Sequence, residues 1–200
     1  VHDTWRMQPA LERALLSGAL PELARDALGE RPVLFQDHLV SKLPGTADVV
    51  KWHQDFSYWP LAEPRGVTMW VALDDSDAEN GCLHYLPASH LDGERQPADF
   101  VIGATQPARQ DLPPLLVESS GVAVPAAAGD VLLHHPLVLH MSPTNLSHRP
   151  RRAWSITWVT GAARWRPAHA AHPYLWTLQP SDGEALDPGR FPRPSQRSLQ

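Results

Sequence analysis

Proline interrupts this chain 21 times in 200 residues, about twice the usual share of roughly 5%. Its ring fixes φ and removes a backbone donor, which breaks helix interiors and central strands alike. The chain therefore cannot be a helical bundle, and its ordered elements must be short. Disorder is the other state that so much proline permits. Eight tryptophans, more than the four phenylalanines and three tyrosines together, argue against it, because large apolar rings need a core to bury them. The length suits one globular domain with a sizeable interior.

The prolines also punctuate. Pro9 and Pro21 stand where a first helical turn would begin. Leu11, Ala14, Leu15 and Leu16 follow the first at helical spacing, and Leu23, Ala24, Ala27 and Leu28 follow the second, with Gly29 as a stop. Residues 1–30 therefore read as helical. From Arg31 onward short strands are expected at Val33 to Val40, Val49 to Phe56, Val67 to Leu73, Leu83 to Leu86, Asp130 to His134, Leu137 to His140 and Ala153 to Thr160. In the last of these Trp154, Ile156 and Trp158 alternate with Ser155, Thr157 and Val159, the period of a strand. Asn80-Gly81 is a tight-turn signal ahead of Leu83. Such a series suggests a β-sandwich or barrel, with its core over residues 31–165 and the domain ending near 185. The polar stretch from Leu91 to Val124 reads as a long loop or insertion, of the kind that often forms a lid. Residues 186–200 read as a loose tail.

Seventeen basic against 22 acidic residues give a formal charge of −5. That balance offers no basic surface for nucleic acid or anionic membranes. No apolar run approaches the roughly 18 residues of a membrane span. No signal peptide is visible, so a cytoplasmic protein acting on a small molecule is expected. The single cysteine, Cys82, excludes an intramolecular disulfide framework and a Cys-rich zinc module. The sequence carries no sign of an oligomeric state.

The sharpest local feature is Trp52-His53-Gln54-Asp55. On a strand, His53 and Asp55 would share a face. An imidazole and a carboxylate so placed can take adjacent positions on a divalent metal. A third ligand would come from the histidine-rich run His134-His135-Pro136-Leu137-Val138-Leu139-His140. There His140 ends an apolar segment before the turn-like Met141-Ser142-Pro143. Two histidines and one carboxylate with open positions form the facial triad of non-haem Fe(II) oxygenases. Alone, the triplet is weak: with 11 histidines in the chain, a packed His beside a surface Asp is the simpler reading. Arg151, eleven residues beyond His140 at the start of the next strand, adds a second component. A buried guanidinium can hold a carboxylate in a two-pronged hydrogen bond and so suits a dicarboxylate, and Ser142 could donate a further bond.

Taken in order, these segments resemble the phytanoyl-CoA dioxygenase family of Fe(II)/2-oxoglutarate-dependent oxygenases. Trp52-His53-Gln54-Asp55 is similar to that family's metal motif, and Thr68-Met69-Trp70-Val71-Ala72-Leu73-Asp74-Asp75 to its next strand. Glu79-Asn80-Gly81-Cys82-Leu83 and Leu86-Pro87-Ala88-Ser89-His90 are similar to its Glu-Asn-Gly-x-Leu and Pro-Gly-Ser-His elements. Ala128-Gly129-Asp130-Val131 precedes His140-x-Ser142-x-x-Asn145, and Arg151 falls at the expected spacing. The likeness runs from about Leu34 to Thr160.

The resemblance implies a mainly β fold, a double-stranded β-helix (a cupin-like jelly roll) with N-terminal and flanking α-helices. It implies Fe(II) held by His53, Asp55 and His140, 2-oxoglutarate as co-substrate and O₂ as oxidant. Arg151 would pair with the far carboxylate of 2-oxoglutarate, with Ser142 and Trp70 lining that pocket and Gln54 and Lys42 contributing. Phe56, Tyr58, Trp59 and His90 are the candidates for substrate contacts, and His134 and His135 are expected to play supporting parts. Hydroxylation of an unactivated C–H bond in a small metabolite or natural-product intermediate is the expected reaction. Desaturation, cyclisation or epimerisation at the same site are the alternatives. A non-catalytic metal- or ligand-binding jelly roll is the rival of another class, and it would have no need of the arginine clamp. The carboxylate of Asp55 disfavours halogenation, for which relatives carry a small residue at that position. Ala88 departs from the family's glycine, so a different backbone conformation is expected there. The strand and helix with which such proteins open are not found upstream, and the start at Val1 suggests that a piece of the fold is missing.

Overall fold

The computed structural model describes residues 2–45, 49–96 and 121–195. Its strands are β1 (Val33–Lys42), β2 (Val50–His53), β3 (Gly66–Ala72), β4 (Leu83–Tyr85), β5 (Val122–Val124), β6 (Val131–His134), β7 (His140–Ser142) and β8 (Arg151–Val159). They form two antiparallel four-stranded sheets, ordered β1-β8-β3-β6 and β2-β7-β4-β5. The chain winds back and forth between the two sheets, which is the course of a double-stranded β-helix. Among the described residues three α-helices accompany it: α1 (Pro9–Leu16), α2 (Ala19–Leu28) and α3 (Pro173–Leu178). Pro9 opens α1 as expected. In α2 the helix starts two residues before Pro21, which still lies in the first turn, where backbone N–H groups have no partner inside the helix. Gly29 ends α2 in the left-handed conformation, at φ 70°.

Strand β8 organises the interior, because eight of its nine residues are buried. Trp154, Ile156 and Trp158 face outward onto α1 and α2, packing with Trp5, Leu15, Ala24, Leu34, Val67 and Met69. At roughly 25 cal/mol per Å² of apolar surface, rings of this size are the dominant stabilising contribution. The Trp154 indole N–H meets the buried Asp37 carboxylate at 2.6 Å, which also accepts from Thr4 Oγ1. Arg151, Ala153, Ser155 and Thr157 face the other way, into the space between the sheets.

Several expectations are corrected. Strand β2 stops at His53, and Asp55–Tyr58 form a 3₁₀ turn. His53 and Asp55 therefore do not meet by strand alternation; the chain bends out of the strand and brings Asp55 back. Leu137 to His140 is not a strand. Pro136 cannot continue the β6 ladder, the chain turns, and pairing resumes only at His140. Within the stretch read as a loop, Val122–Val124 pair with β4. The lid expected from that stretch otherwise falls on residues 97–120, outside the described residues. Residues 186–195 are not loose. Phe191 is 2% exposed, stacks on Phe35 at 5.6 Å and fixes the segment, while Pro192 O accepts from Leu34 N and Leu16 O from Ser195 N. One aromatic anchor outweighs the polar composition around it. Residues 196–200 lie outside the described residues. No helix among the described residues is long and apolar enough to cross a membrane.

Ala88 has φ 64°, in the left-handed region that favours glycine. That costs an L-residue about 1–2 kcal/mol, partly offset by the greater freedom glycine has when unfolded. Ala88→Gly is expected to raise stability by about 0.5–1 kcal/mol, read as a higher urea midpoint at unchanged slope.

Candidate active site

Strands β2 and β7 meet with His53 opposite His140, and the two rings lie 4.1 Å apart between centroids. The 3₁₀ turn then places Asp55 Oδ1 at 3.6 Å from His53 Nε2 and 3.6 Å from His140 Nε2. One donor atom from each of the three falls within 4.8 Å of the others. His53 Nδ1 donates to Lys51 O at 2.8 Å and His140 Nδ1 to Val138 O at 3.1 Å. These bonds assign the proton to Nδ1 on both rings and leave the Nε2 lone pairs facing Asp55.

The second carboxylate oxygen of Asp55 is taken. It accepts from Thr68 Oγ1 at 2.6 Å and from His134 Nε2 at 3.0 Å, and His134 Nδ1 accepts in turn from Tyr85 OH at 3.0 Å. Thr68 and His134 are opposite each other in the β3–β6 register. The sheet thus holds one oxygen of Asp55 and leaves the other free. Burial works to raise the Asp55 pKa, but the adjoining His140 and the hydrogen bond from His134 outweigh it and hold the carboxyl well below its usual range. Burial, reinforced by His53, pushes His140 well below the usual imidazole value and keeps it a neutral donor. Two imidazole nitrogens and one carboxylate oxygen converging on one point fit a divalent first-row metal, and iron(II) among them.

On the same wall, Arg151 is 1% exposed. Its Nη2 donates to Ser142 Oγ at 2.8 Å, and its guanidinium lies 5.2 Å from the Trp70 ring centroid. Its Nε is buried without a partner, and no acidic side chain among the described residues pairs with it. Burial lowers its pKa to about 10, so it remains a cation at neutral pH. Ser142 is itself set by donating to Gly81 O at 2.8 Å. Gly81 has φ +84°, and a side chain there would meet Pro143 O at 2.6 Å, which explains the glycine of Glu79-Asn80-Gly81.

A cavity of about 400 Å³ joins these parts. It is lined by His53, Asp55 and His140, by Arg151, Ser142 and Trp70, and by Tyr58 and Trp59 of the expected substrate residues. Four other candidates lie elsewhere. Gln54 points away from the cavity, and its amide is bound by Gly93 O, Leu137 O and Arg95 N at 2.7–2.9 Å. Lys42 is buried, with Nζ donating to Ser142 O and Pro143 O at 3.0 and 2.6 Å. It braces the segment after His140 rather than reaching the cavity. Phe56 packs in the core against Trp59 and His169. His90 pairs with the ring of His135, 5.2 Å away. The cavity also draws in Thr68, Gln36, His38, Ser155 and His172, which the sequence reading did not single out. Thr68 was within reach of it, since it shares a strand face with Trp70.

The family model described as phytanoyl-CoA dioxygenase matches residues 3–153. The bovine phytanoyl-CoA dioxygenase domain-containing protein 1 is 32% identical over 180 residues, covering 86% of this chain and 60% of its own. The chain spans between 54% and 60% of the length of such curated relatives. Among solved structures, the non-haem α-ketoglutarate-dependent carbocyclase SnoK from nogalamycin biosynthesis superposes with a TM-score of 0.82 at 27% identity, over 98% of this chain and 75% of its own. The epimerase SnoN, in complex with Fe³⁺, α-ketoglutarate and nogalamycin RO, gives 0.77 at 26% identity, over 96% and 76%.

Proposed function

Since the chain belongs to the phytanoyl-CoA dioxygenase family of Fe(II)/2-oxoglutarate-dependent oxygenases, we propose that it oxidises a C–H bond of a small organic molecule, with hydroxylation as the outcome. O₂ and 2-oxoglutarate are consumed and succinate and CO₂ released. The observation that carries this reading is the pairing, in one cavity, of the His53–Asp55–His140 cluster with a buried and acid-free Arg151. A simple metal-binding jelly roll has no use for the second.

His53, Asp55 and His140 would hold Fe(II), which when bound supplies the activation of O₂ coupled to decarboxylation of the keto acid. The protein's own residues do the rest. Thr68 and His134 fix the Asp55 carboxylate so that one oxygen faces the metal position. Arg151, steadied by its bond to Ser142 and by the Trp70 ring, offers its remaining N–H donors to the far carboxylate of 2-oxoglutarate. Tyr58 and Trp59 wall the substrate side.

Anaerobic addition of Fe(II) and then 2-oxoglutarate to metal-free protein is expected to produce a weak visible charge-transfer band. Its absence from folded protein would refute the oxygenase reading. A second outcome is favoured by the likeness to a carbocyclase and an epimerase: ring closure or inversion at the same site. Product mass separates them, since hydroxylation adds one oxygen, ring closure removes two hydrogens and epimerisation leaves the mass unchanged.

A further inference from the structure

Beyond the metal cluster, β1 and β8 carry the remaining polar face of the cavity. In their register Arg151 lies opposite Lys42, Ser155 opposite His38 and Thr157 opposite Gln36. Four residues separate Ser155 from Arg151, about 13 Å at ~3.3 Å per residue. A five-carbon diacid held by Arg151 spans less than that, so this end of the cavity lies beyond the co-substrate.

The polar groups at this end divide into used and unused. Gln36 is engaged: its Oε1 accepts from His172 Nε2 at 2.9 Å and its Nε2 donates to Thr157 Oγ1 at 3.5 Å, while His172 Nδ1 accepts from Tyr174 N. Thr68 is bound to Asp55. Ser155 is 7% exposed and lines the cavity, with its hydroxyl not hydrogen-bonded to another described residue. His38 Nδ1 is buried with no partner, and its ring neighbour among the described residues is His2 at 5.3 Å. A buried ring nitrogen without a partner is rare in a folded interior, and here it stands opposite a hydroxyl that lines the cavity. They are the sparse, placed polar groups by which a largely apolar pocket orients a ligand. Burial and the neighbouring His2 push the His38 pKa down to about 4, so at neutral pH the pair is uncharged.

We propose that His38 and Ser155 form the specificity-determining pair for the primary substrate, reading a neutral hydroxyl or carbonyl group on an otherwise apolar molecule. A neutral imidazole and a hydroxyl each present one donor and one acceptor, which matches an alcohol or ketone. The walls around them are Val40, Val50, Leu83, Tyr58 and Trp59. Among the described lining residues the only fixed charges, Asp55 and Arg151, already have the metal and the co-substrate to serve. An anionic substrate group would therefore be buried unpaired, at a large cost. This assignment rests on the oxygenase reading for its chemistry, but binding tests it separately.

The probes are tetralin, 2-tetralol and tetralin-2-carboxylate, titrated calorimetrically under argon into protein loaded with Fe(II) and 2-oxoglutarate. The alcohol is expected to bind at least fivefold more tightly than either of the others. Ser155→Ala and His38→Phe should each shrink that preference below twofold, with the visible co-substrate band intact, and His38→Gln should keep most of it. Tightest binding of the carboxylate, no preference, or no binding of any probe overturns the assignment. So does a preference that survives in both loss variants, or one that disappears together with the band. If the wild type shows no band yet keeps an alcohol preference that both variants lose, the oxygenase reading fails and the binding pair stands.

Discussion

Asp55→Ala is expected to abolish turnover, by at least about 10³-fold, the equivalent of roughly 4 kcal/mol in the barrier. The same change should weaken Fe(II) binding measured directly by competition with a chelator. The argument is geometric. Asp55 is the single carboxylate in the cluster, and its Oδ1 stands at 3.6 Å from the Nε2 of both histidines. Its removal also leaves Thr68 Oγ1 and His134 Nε2 without their acceptor, which costs about 1–3 kcal/mol of stability if they stay unpaired. Asp55→Asn separates the two effects. It preserves shape and an acceptor for Thr68, so it should melt close to the wild type while losing iron and turnover alike. Turnover at the wild-type rate in either variant would show that the metal sits elsewhere.

Arg151→Ala carries the second large effect, on the co-substrate and not on the iron. Losing one partner of a buried, hydrogen-bonded charge pair costs about 2–5 kcal/mol, so the dissociation constant for 2-oxoglutarate should rise roughly 10²–10³-fold. Fe(II) affinity measured without the keto acid should stay unchanged. In the wild type, added 2-oxoglutarate should raise the melting temperature by mass action, and in the variant it should not. Arg151→Lys is expected to recover little, because an ammonium lacks the planar fork that reaches Ser142 and a carboxylate together. An unaltered response to 2-oxoglutarate in Arg151→Ala would remove the clamp from the mechanism.

The sequence reading was strongest where residues close in the chain carry the information. The alternation of Trp154, Ile156 and Trp158 with Ser155, Thr157 and Val159 marked a strand where β8 runs, and Gly29 ended α2 where the spacing placed it. Local spacing was less informative about how the site is assembled. His53 and Asp55 sit two residues apart, as on a strand, yet they converge through a turn that the His-x-Asp pattern does not encode. Gln54, between them, is directed to the backbone on the far side for the same reason. Lys42 looked like a chemical group and is a brace, because its partners, Ser142 O and Pro143 O, are supplied by a distant segment. His38 and Ser155 became visible only once the β1–β8 register was known, since nothing local marks either one. The packed segment at residues 186–195 was missed because composition averages over the one aromatic ring that docks it.

Arg151 and Arg152 are adjacent and chemically identical, and strand alternation alone decides which one faces the cavity. Arg152 lies on the outer side, where its Nε and Nη2 meet the two oxygens of Asp74 at 2.8 and 2.7 Å and its backbone N–H meets the same carboxylate at 2.9 Å. As an exposed ion pair this contact adds little to folding energy. A slip of one residue along β8 would nonetheless present Arg152 to the co-substrate and swing Trp154 off its helices into the cavity. Asp74 stands two residues beyond the end of the neighbouring β3, beside the start of the β8 ladder. The surface carboxylate thus serves as an address label for the interior: it tells two identical cations apart and fixes which one the chemistry receives.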